Sequence, residues 1–332
     1  MTGTAWERFG WRSSEIPREP LDDATRRAEH LPKTLRPVPG DDVVQRPVFD
    51  PALKHLHKAY RATDPAFADP TRGEAWRAAR RQALHLVLAA ISDSPWVDSL
   101  VLRGSVLMSA WFGEAAREPG DLDFVVVPHT WRMEDGRTDR MLAGIAAAAQ
   151  ELAEARGQGV GISARGAVVE DIWTYDRVPG RRMVLPWGAP GLPGGHVQLD
   201  FVFNERLPEE PGPVELPGGA LVQAATPELS LAWKLMWVIN DAHAQGKDLY
   251  DAVLLAERYP LRYELLHEVF RLSGEWPYSY REQVLLEDVV EAVGSVEWNH
   301  FVTEYPRFRY DEREFAERLV RAVTPAFEGA GA

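Results

Sequence analysis

The chain contains no cysteine, which excludes disulfides, zinc–thiolate centres and thiol nucleophiles together. It has no run near the roughly 18 unbroken apolar residues that a membrane helix needs. Its first twenty residues, MTGTAWERFGWRSSEIPREP, lack the apolar segment of a secretory leader. These absences predict a cytoplasmic protein with no membrane partner. No internal repeat is visible. The nine histidines show no metal-ligand spacing; His55 and His57, two apart on an expected helix, point apart. Positive charge is in deficit, 37 Lys/Arg against 50 Asp/Glu, a net of −13, which argues against a polyanionic partner. The deficit is uneven: residues 1–81 carry 15 Lys/Arg against 12 Asp/Glu, and residues 250–332 carry 9 against 16. A nucleic acid would meet the N-terminal third more comfortably than the C-terminal one.

What is present is organised in three parts. Residues 1–70 are rich in proline and charge (IPREP, LPKTLRPVPGDD, VQRPVFDP), an extension that packs in pieces, with one helix expected at Pro51–Thr63. From residue 71 strands and helices mix. Trp76, Ala79, Ala83, Leu84, Val87 and Leu88 have the spacing of an amphipathic helix. Ser99–Leu102, Asp121–Val127, Val168–Tyr175, Arg182–Leu185 and His196–Phe203 read as strands, and residues 138–156 as a helix. After residue 225 the pattern is almost wholly helical, with Thr226 as N-cap and Pro227 at the first helical position. The class is α+β: a core over residues 71–225 and a helical domain over 226–332.

Asp121-Leu-Asp123 is the most informative pair. Residues two apart on a strand face the same way, so both carboxylates share a side while Leu122 faces the core. Two adjacent carboxylates repel, and the following Phe-Val-Val-Val makes their surroundings apolar; a divalent cation would neutralise them. The plainer reading is two solvated acids opening a strand. Upstream, Gly104-Ser105 stands between a strand and a helix start, where glycine lets the backbone approach a ligand and free N–H groups favour a phosphate. Strand, Gly-Ser, helix, loop and Asp-x-Asp in that order would set a phosphate cradle beside a metal site.

Lys234 is the one cation in PELSLAWKLMWVIN (227–240). A buried ammonium needs a counter-charge, so Lys234 either reaches water or faces an anion, of which a triphosphate is one. Asp248 and Asp251 in GKDLYD (246–251) share a helical face; by itself that pair reads as a cap, with Asp248 as N-cap of a helix Leu249–Glu257.

Gly-Ser followed by Asp-x-Asp resembles the polymerase-beta-like nucleotidyltransferase fold. That resemblance implies a third acid on a later strand, a slot that Asp200 in VQLDFVF (197–203) fits better than Asp171 or Asp176. With Lys234 and the Lys-Asp-x-x-Asp segment at 247–251, the chain resembles more narrowly the AbiEii-type toxin nucleotidyltransferases, which include the MenT-type toxins. Arg117, four residues before Asp121, also matches. The resemblance spans roughly residues 75–260. Arg103 where the family has a first glycine, and Pro119 where it has a small hydroxyl residue, depart from it and bear on the acceptor.

The resemblance implies a mixed-sheet core with helices and transfer of an NMP from an NTP. Asp121, Asp123 and Asp200 would hold Mg²⁺ or Mn²⁺, with Asp200 helping to deprotonate the acceptor hydroxyl. Gly104, Ser105, Lys234 and Asp251 would bind the nucleotide, and Asp248 would orient Lys234 or touch the nucleotide. The implied acceptor is RNA, a tRNA 3′ end, in a toxin–antitoxin or phage-defence setting with an antitoxin partner. Two alternatives remain: a small-molecule (antibiotic-type) nucleotidyltransferase, and a non-catalytic nucleotide-binding or regulatory protein of the same fold. Arg72, Arg77, Arg80 and Arg81 could meet RNA phosphates or form a solvated helix face. Most of the twelve tryptophans read as core. Trp187, in a Gly/Pro loop, is the one suited to stacking on a base.

Overall fold

The structure, a computed structural model, describes residues 15–18, 21–157, 159–174 and 178–328. The chain divides into two compact units. The first holds the described residues up to Val106, with Glu118–Asn204 and Pro213–Gln223; the second holds Leu107–Arg117, Glu205–Gly212 and the chain from Ala224.

In the first unit, helix α1 (Asp23–Ala28) is capped by Asp22, whose carboxylate accepts from the Thr25 N–H. Two short antiparallel ladders follow, β1 (Val43–Val44) with β4 (Ala66–Phe67) and β2 (Pro47–Phe49) with β3 (Tyr60–Ala62). The helix expected at Pro51–Thr63 is one 3₁₀ turn, Pro51–Leu53, running on into β3. The reason is tertiary: Leu53 and Ala59 pack on Ile172, and Asp50 N–H bonds the Ala59 carbonyl at 2.8 Å, closing a turn that a helix would open. His55 and His57 therefore lie in that turn rather than on a helix.

Helix α2 (Pro70–Ser92) starts at the Asp69 cap with Pro70 at its first turn and buries Trp76, Ala79, Ala83, Leu84, Val87 and Leu88, the stripe its spacing predicts. It packs against α4 (Gly136–Arg156). Strand β5 (Leu100–Arg103), helix α3 (Ser105–Phe112) and strand β6 (Asp121–Val126) come in the expected order. They are followed by β7 (Gly161–Ile162), β8 (Val168–Thr174), β9 (Val178–Gly188), β10 (Gly195–Val202), β11 (Gly212–Glu215) and β12 (Leu221–Ala224). Tyr175, the expected end of β8, and Asp176 lie outside the described residues.

The sheet runs β11-β12-β5-β6-β10-β9-β7, with β8 also on β9. β6 and β10 are parallel; β5–β6, β9–β10, β7–β9 and β8–β9 are antiparallel. Leu122, Phe124, Leu199 and Phe201 are fully buried, with Phe124 and Phe201 stacked at 5.6 Å. Trp187 is buried too and packs on Trp76 at 5.3 Å. Strand β9 extends to Gly188 and carries it out of the loop, so Trp187 is core and offers no face to a base.

The second unit is helical: α5 (Pro227–Asn240), α6 (Gly246–Arg258), α7 (Tyr263–Ser273), α8 (Leu286–Val293), α9 (Trp298–Glu304) and α10 (Glu312–Glu328). Thr226 caps α5 by accepting from Leu229 N–H at 3.1 Å, with Pro227 at the first turn. Helix α6 is anchored by Tyr250, whose ring lies 5.0–5.5 Å from those of Phe301, Phe308 and Phe315. Gly246 lets α9 approach: a Cβ there would stand 2.7 Å from Phe301 Cβ. Among the described residues no helix is long and apolar enough to cross a membrane.

Candidate active site

The turn between β5 and α3 is built on Gly104, at φ +82°, a left-handed conformation that suits glycine. A Cβ at this position would lie 2.4 Å from Asp123 Oδ2, so the backbone approaches the Asp123 carboxylate as closely as only glycine permits. Ser105, buried at the start of α3, donates its hydroxyl to Asp121 Oδ1 at 3.1 Å. Alternation along β6 leaves Asp121 and Asp123 partly exposed while Leu122 and Phe124 are buried.

The parallel register places Asp200 directly beside Asp123, and Gln198 beside Asp121. Continuing across the sheet, Asp123 is opposite Arg103 on β5, Asp200 opposite Arg182 on β9, and Arg182 opposite Glu170 on β8. Cross-strand partners share a face, so five charged residues form one row. Within it Arg182 grips Asp200 with two parallel bonds, Nε to Oδ1 and Nη2 to Oδ2, both 2.8 Å. Its remaining nitrogen, Nη1, donates to Asp50 Oδ2 at 2.5 Å. Asp50, Arg182 and Asp200 are all buried. Burial pushes the Asp200 carboxyl above the usual range, against the pull of Arg182, with Asp121 and Asp50 adding to the rise. For Arg182, burial is outweighed by Asp200 and Asp50, and the guanidinium stays charged.

The second unit gathers the other set. Lys234 is buried, with Nζ 2.7 Å from Asp248 Oδ1 and 3.2 Å from Asp251 Oδ2, and stands 4.9 Å from the Trp237 ring centroid. Asp251 also takes Arg117 in a bidentate pair at 2.9 and 2.6 Å. Burial alone would lower the Lys234 pKa, but Asp248 and Asp251 outweigh it and raise it. Burial would raise that of Asp251; Arg117 and Lys234 reverse it and hold the carboxyl low. The capping expected of Asp248 does not occur. Helix α6 begins at Gly246 with Gln245 as N-cap, and Asp248, a turn inside, spends its carboxylate on Lys234.

Gly104, Ser105, Asp121, Asp123 and Asp200 thus come together in the first unit, and Arg117, Lys234, Asp248 and Asp251 in the second. The arginines of α2 form no free basic face. Arg72 pairs with Asp42, Arg77 with Glu74, Arg81 with Glu74 and Glu118, and buried Arg80 with Asp64. Three polar residues escaped the sequence reading. Asp50 and Arg182 have no local signal, since their meeting depends on strand register and a distant turn. Ser230 does have one: it lies four residues before Lys234 on the same helical face. Its hydroxyl is buried without a hydrogen-bond partner.

As a metal centre the arrangement fits in part. Among the described residues no three His, Asp or Glu side chains converge as a ready cage. Asp121 and Asp123 offer two hard oxygen ligands, both partly exposed, on one face of β6, which suits Mg²⁺ or Mn²⁺ completed by substrate phosphates. Asp200 stands beside them with both oxygens given to Arg182.

The family model for the nucleotidyl transferase AbiEii toxin of type IV toxin–antitoxin systems matches residues 86–330. No curated protein matches the chain.

Proposed function

The chain belongs to the AbiEii nucleotidyl transferase toxin family, and on that premise we propose that it moves a nucleoside monophosphate from an NTP to an RNA hydroxyl, at a tRNA 3′ end. The observation that carries the transfer chemistry is the β5–Gly104-Ser105–α3–β6 unit, in which a left-handed glycine brings backbone against Asp123 while Ser105 bonds Asp121.

Asp121 and Asp123 would hold the divalent cation, Mg²⁺ or Mn²⁺, which when bound supplies positive charge to the reacting phosphate and the leaving pyrophosphate. Ser105 exchanges its bond to Asp121 for a phosphate oxygen, and the N–H groups at the start of α3 face the same anion. In the second unit Lys234 and Ser230 take nucleotide phosphate. Asp248 and Asp251 keep Lys234 charged and aimed, and Arg117 fixes Asp251. The acceptor follows from the toxin resemblance, and a cognate antitoxin would counter the toxicity. The paired arginines of α2 lend the RNA acceptor no support.

The test offers each α-labelled NTP with total RNA and, separately, with a small-metabolite extract. Label should enter tRNA and fall at least about tenfold between 50 and 200 mM salt, as phosphate contacts release counterions. Label that enters only a metabolite, unaffected by salt, would overturn the RNA acceptor and favour a small-molecule nucleotidyltransferase.

A further inference from the structure

We propose that Arg182 takes, at Asp200, the place of a second cation, so that the first unit's acids hold one divalent ion, at Asp121 and Asp123. Asp50, from the segment that precedes the family match, fixes Arg182 there. The inference rests on the metal reading above and narrows it.

A carboxylate offers about four lone-pair directions. At Asp200 two are used by the parallel Arg182 bonds at 2.8 Å, and Gln198 Nε2 approaches Oδ2 at 3.3 Å. The charge of Asp200 is met as well as its geometry, because the guanidinium is buried beside it and cannot lose its proton. A metal ion taking the direction that is left would bring its charge against the guanidinium, and one taking more would displace this cation and leave a buried guanidinium with half its partners gone.

Arg182 is also held from behind. Nη1 donates to Asp50 Oδ2, while Asp50 Oδ1 accepts from Ala52 N–H at 3.1 Å, capping the 3₁₀ turn. That turn is pinned to β8 by Leu53 and Ala59 packed on Ile172. All three guanidinium nitrogens thus have carboxylate partners, and rotation toward solvent would break three bonds at once. Asp50 lies in residues 1–85, before the matched span 86–330; the brace comes from a part of the chain to which the family model does not extend. Arg182 and Asp50 are positioning residues: they fix the charge and direction of Asp200 and bind no substrate.

The test counts Mn²⁺ bound to the full-length protein by electron paramagnetic resonance, metal alone. The wild type should bind one ion, Asp200→Asn one, and Asp123→Asn none. Arg182→Met/Asp50→Asn removes one positive and one negative charge together, and the asparagine side-chain oxygen can still cap the turn. This variant should bind two ions, the second lost again when Asp200→Asn is added. A wild-type count of two that falls to one in Asp200→Asn overturns this inference alone, as does a double variant that folds and stays at one. A wild-type count of zero overturns the metal reading itself. If the double variant does not fold, the wild-type and Asp200→Asn counts decide by themselves.

Discussion

Arg117 and Asp251, 134 residues apart in the chain, meet through two parallel hydrogen bonds of 2.9 and 2.6 Å. Asp251 is fully buried and also receives Lys234, so one carboxylate neutralises parts of two cations. Asp251→Asn should therefore leave Arg117 and Lys234 short of charge together. Removing one partner of a buried ion pair costs about 3–5 kcal/mol, and urea unfolding should show a loss of that order. A loss under about 1 kcal/mol would mean that the network is solvated.

Lys234→Met places a well-shaped side chain in the apolar face of α5 but strands Asp248, so it should lower the melting temperature. Adding Asp248→Asn removes the stranded charge and should recover most of the stability. Nucleotide affinity should stay low in both variants. A charge-assisted hydrogen bond is worth about 1.5–3 kcal/mol, roughly a ten- to hundredfold rise in Kd. Isothermal titration that gives wild-type affinity in the double variant would assign Lys234 a structural role only.

Gly104→Ala tests the approach of backbone to carboxylate. The added methyl would stand 2.4 Å from Asp123 Oδ2 at a φ of +82°. The left-handed backbone should cost about 1–2 kcal/mol, which a folded domain tolerates. Displacing Asp123 by about 1 Å to relieve that contact should cost on the order of a hundredfold in turnover. Circular dichroism should be unchanged while labelling collapses. Near wild-type labelling would show that Asp123 need not sit where it does.

His196 on β10 has its pKa lowered to about 4 by burial, with Arg36 and Arg26 adding to the effect. The unfolded chain takes up this proton near pH 6.5 and the folded one only near pH 4, so stability falls as pH drops through that window. Linkage puts the loss at about 1 kcal/mol by about pH 5.5. His196→Gln should flatten that part of the stability–pH curve measured by urea unfolding. An unchanged slope would mean that His196 titrates normally in the folded state.

What the sequence could and could not say follows from the range of the forces involved. The α2 stripe, the Thr226-Pro227 helix start and the β5–α3–β6 order are local signals, and all three are present in the structure. The α+β class follows from them. Residues 51–63 misled because the turn there is decided by Ile172 on a distant strand, not by its own sequence. Asp248 misled because a buried lysine on another helix outcompetes the backbone N–H groups it could have capped. Trp187 misled because its loop-like neighbours hide the length of β9. Arg182 is invisible to spacing arguments: only the antiparallel register of β9 on β10 sets it opposite Asp200.

In the proposed function Asp121 and Asp123 carry nucleotidyl transfer. The direct measurement is release of pyrophosphate together with incorporation of α-label into RNA, for the wild type, Asp121→Asn and Asp123→Asn, each checked for folding by thermal melting. The wild type should yield equimolar pyrophosphate and incorporated label, and the two folded variants neither product. Incorporation that persists in either folded variant, or a wild type that releases no pyrophosphate with any NTP, would contradict the proposed function.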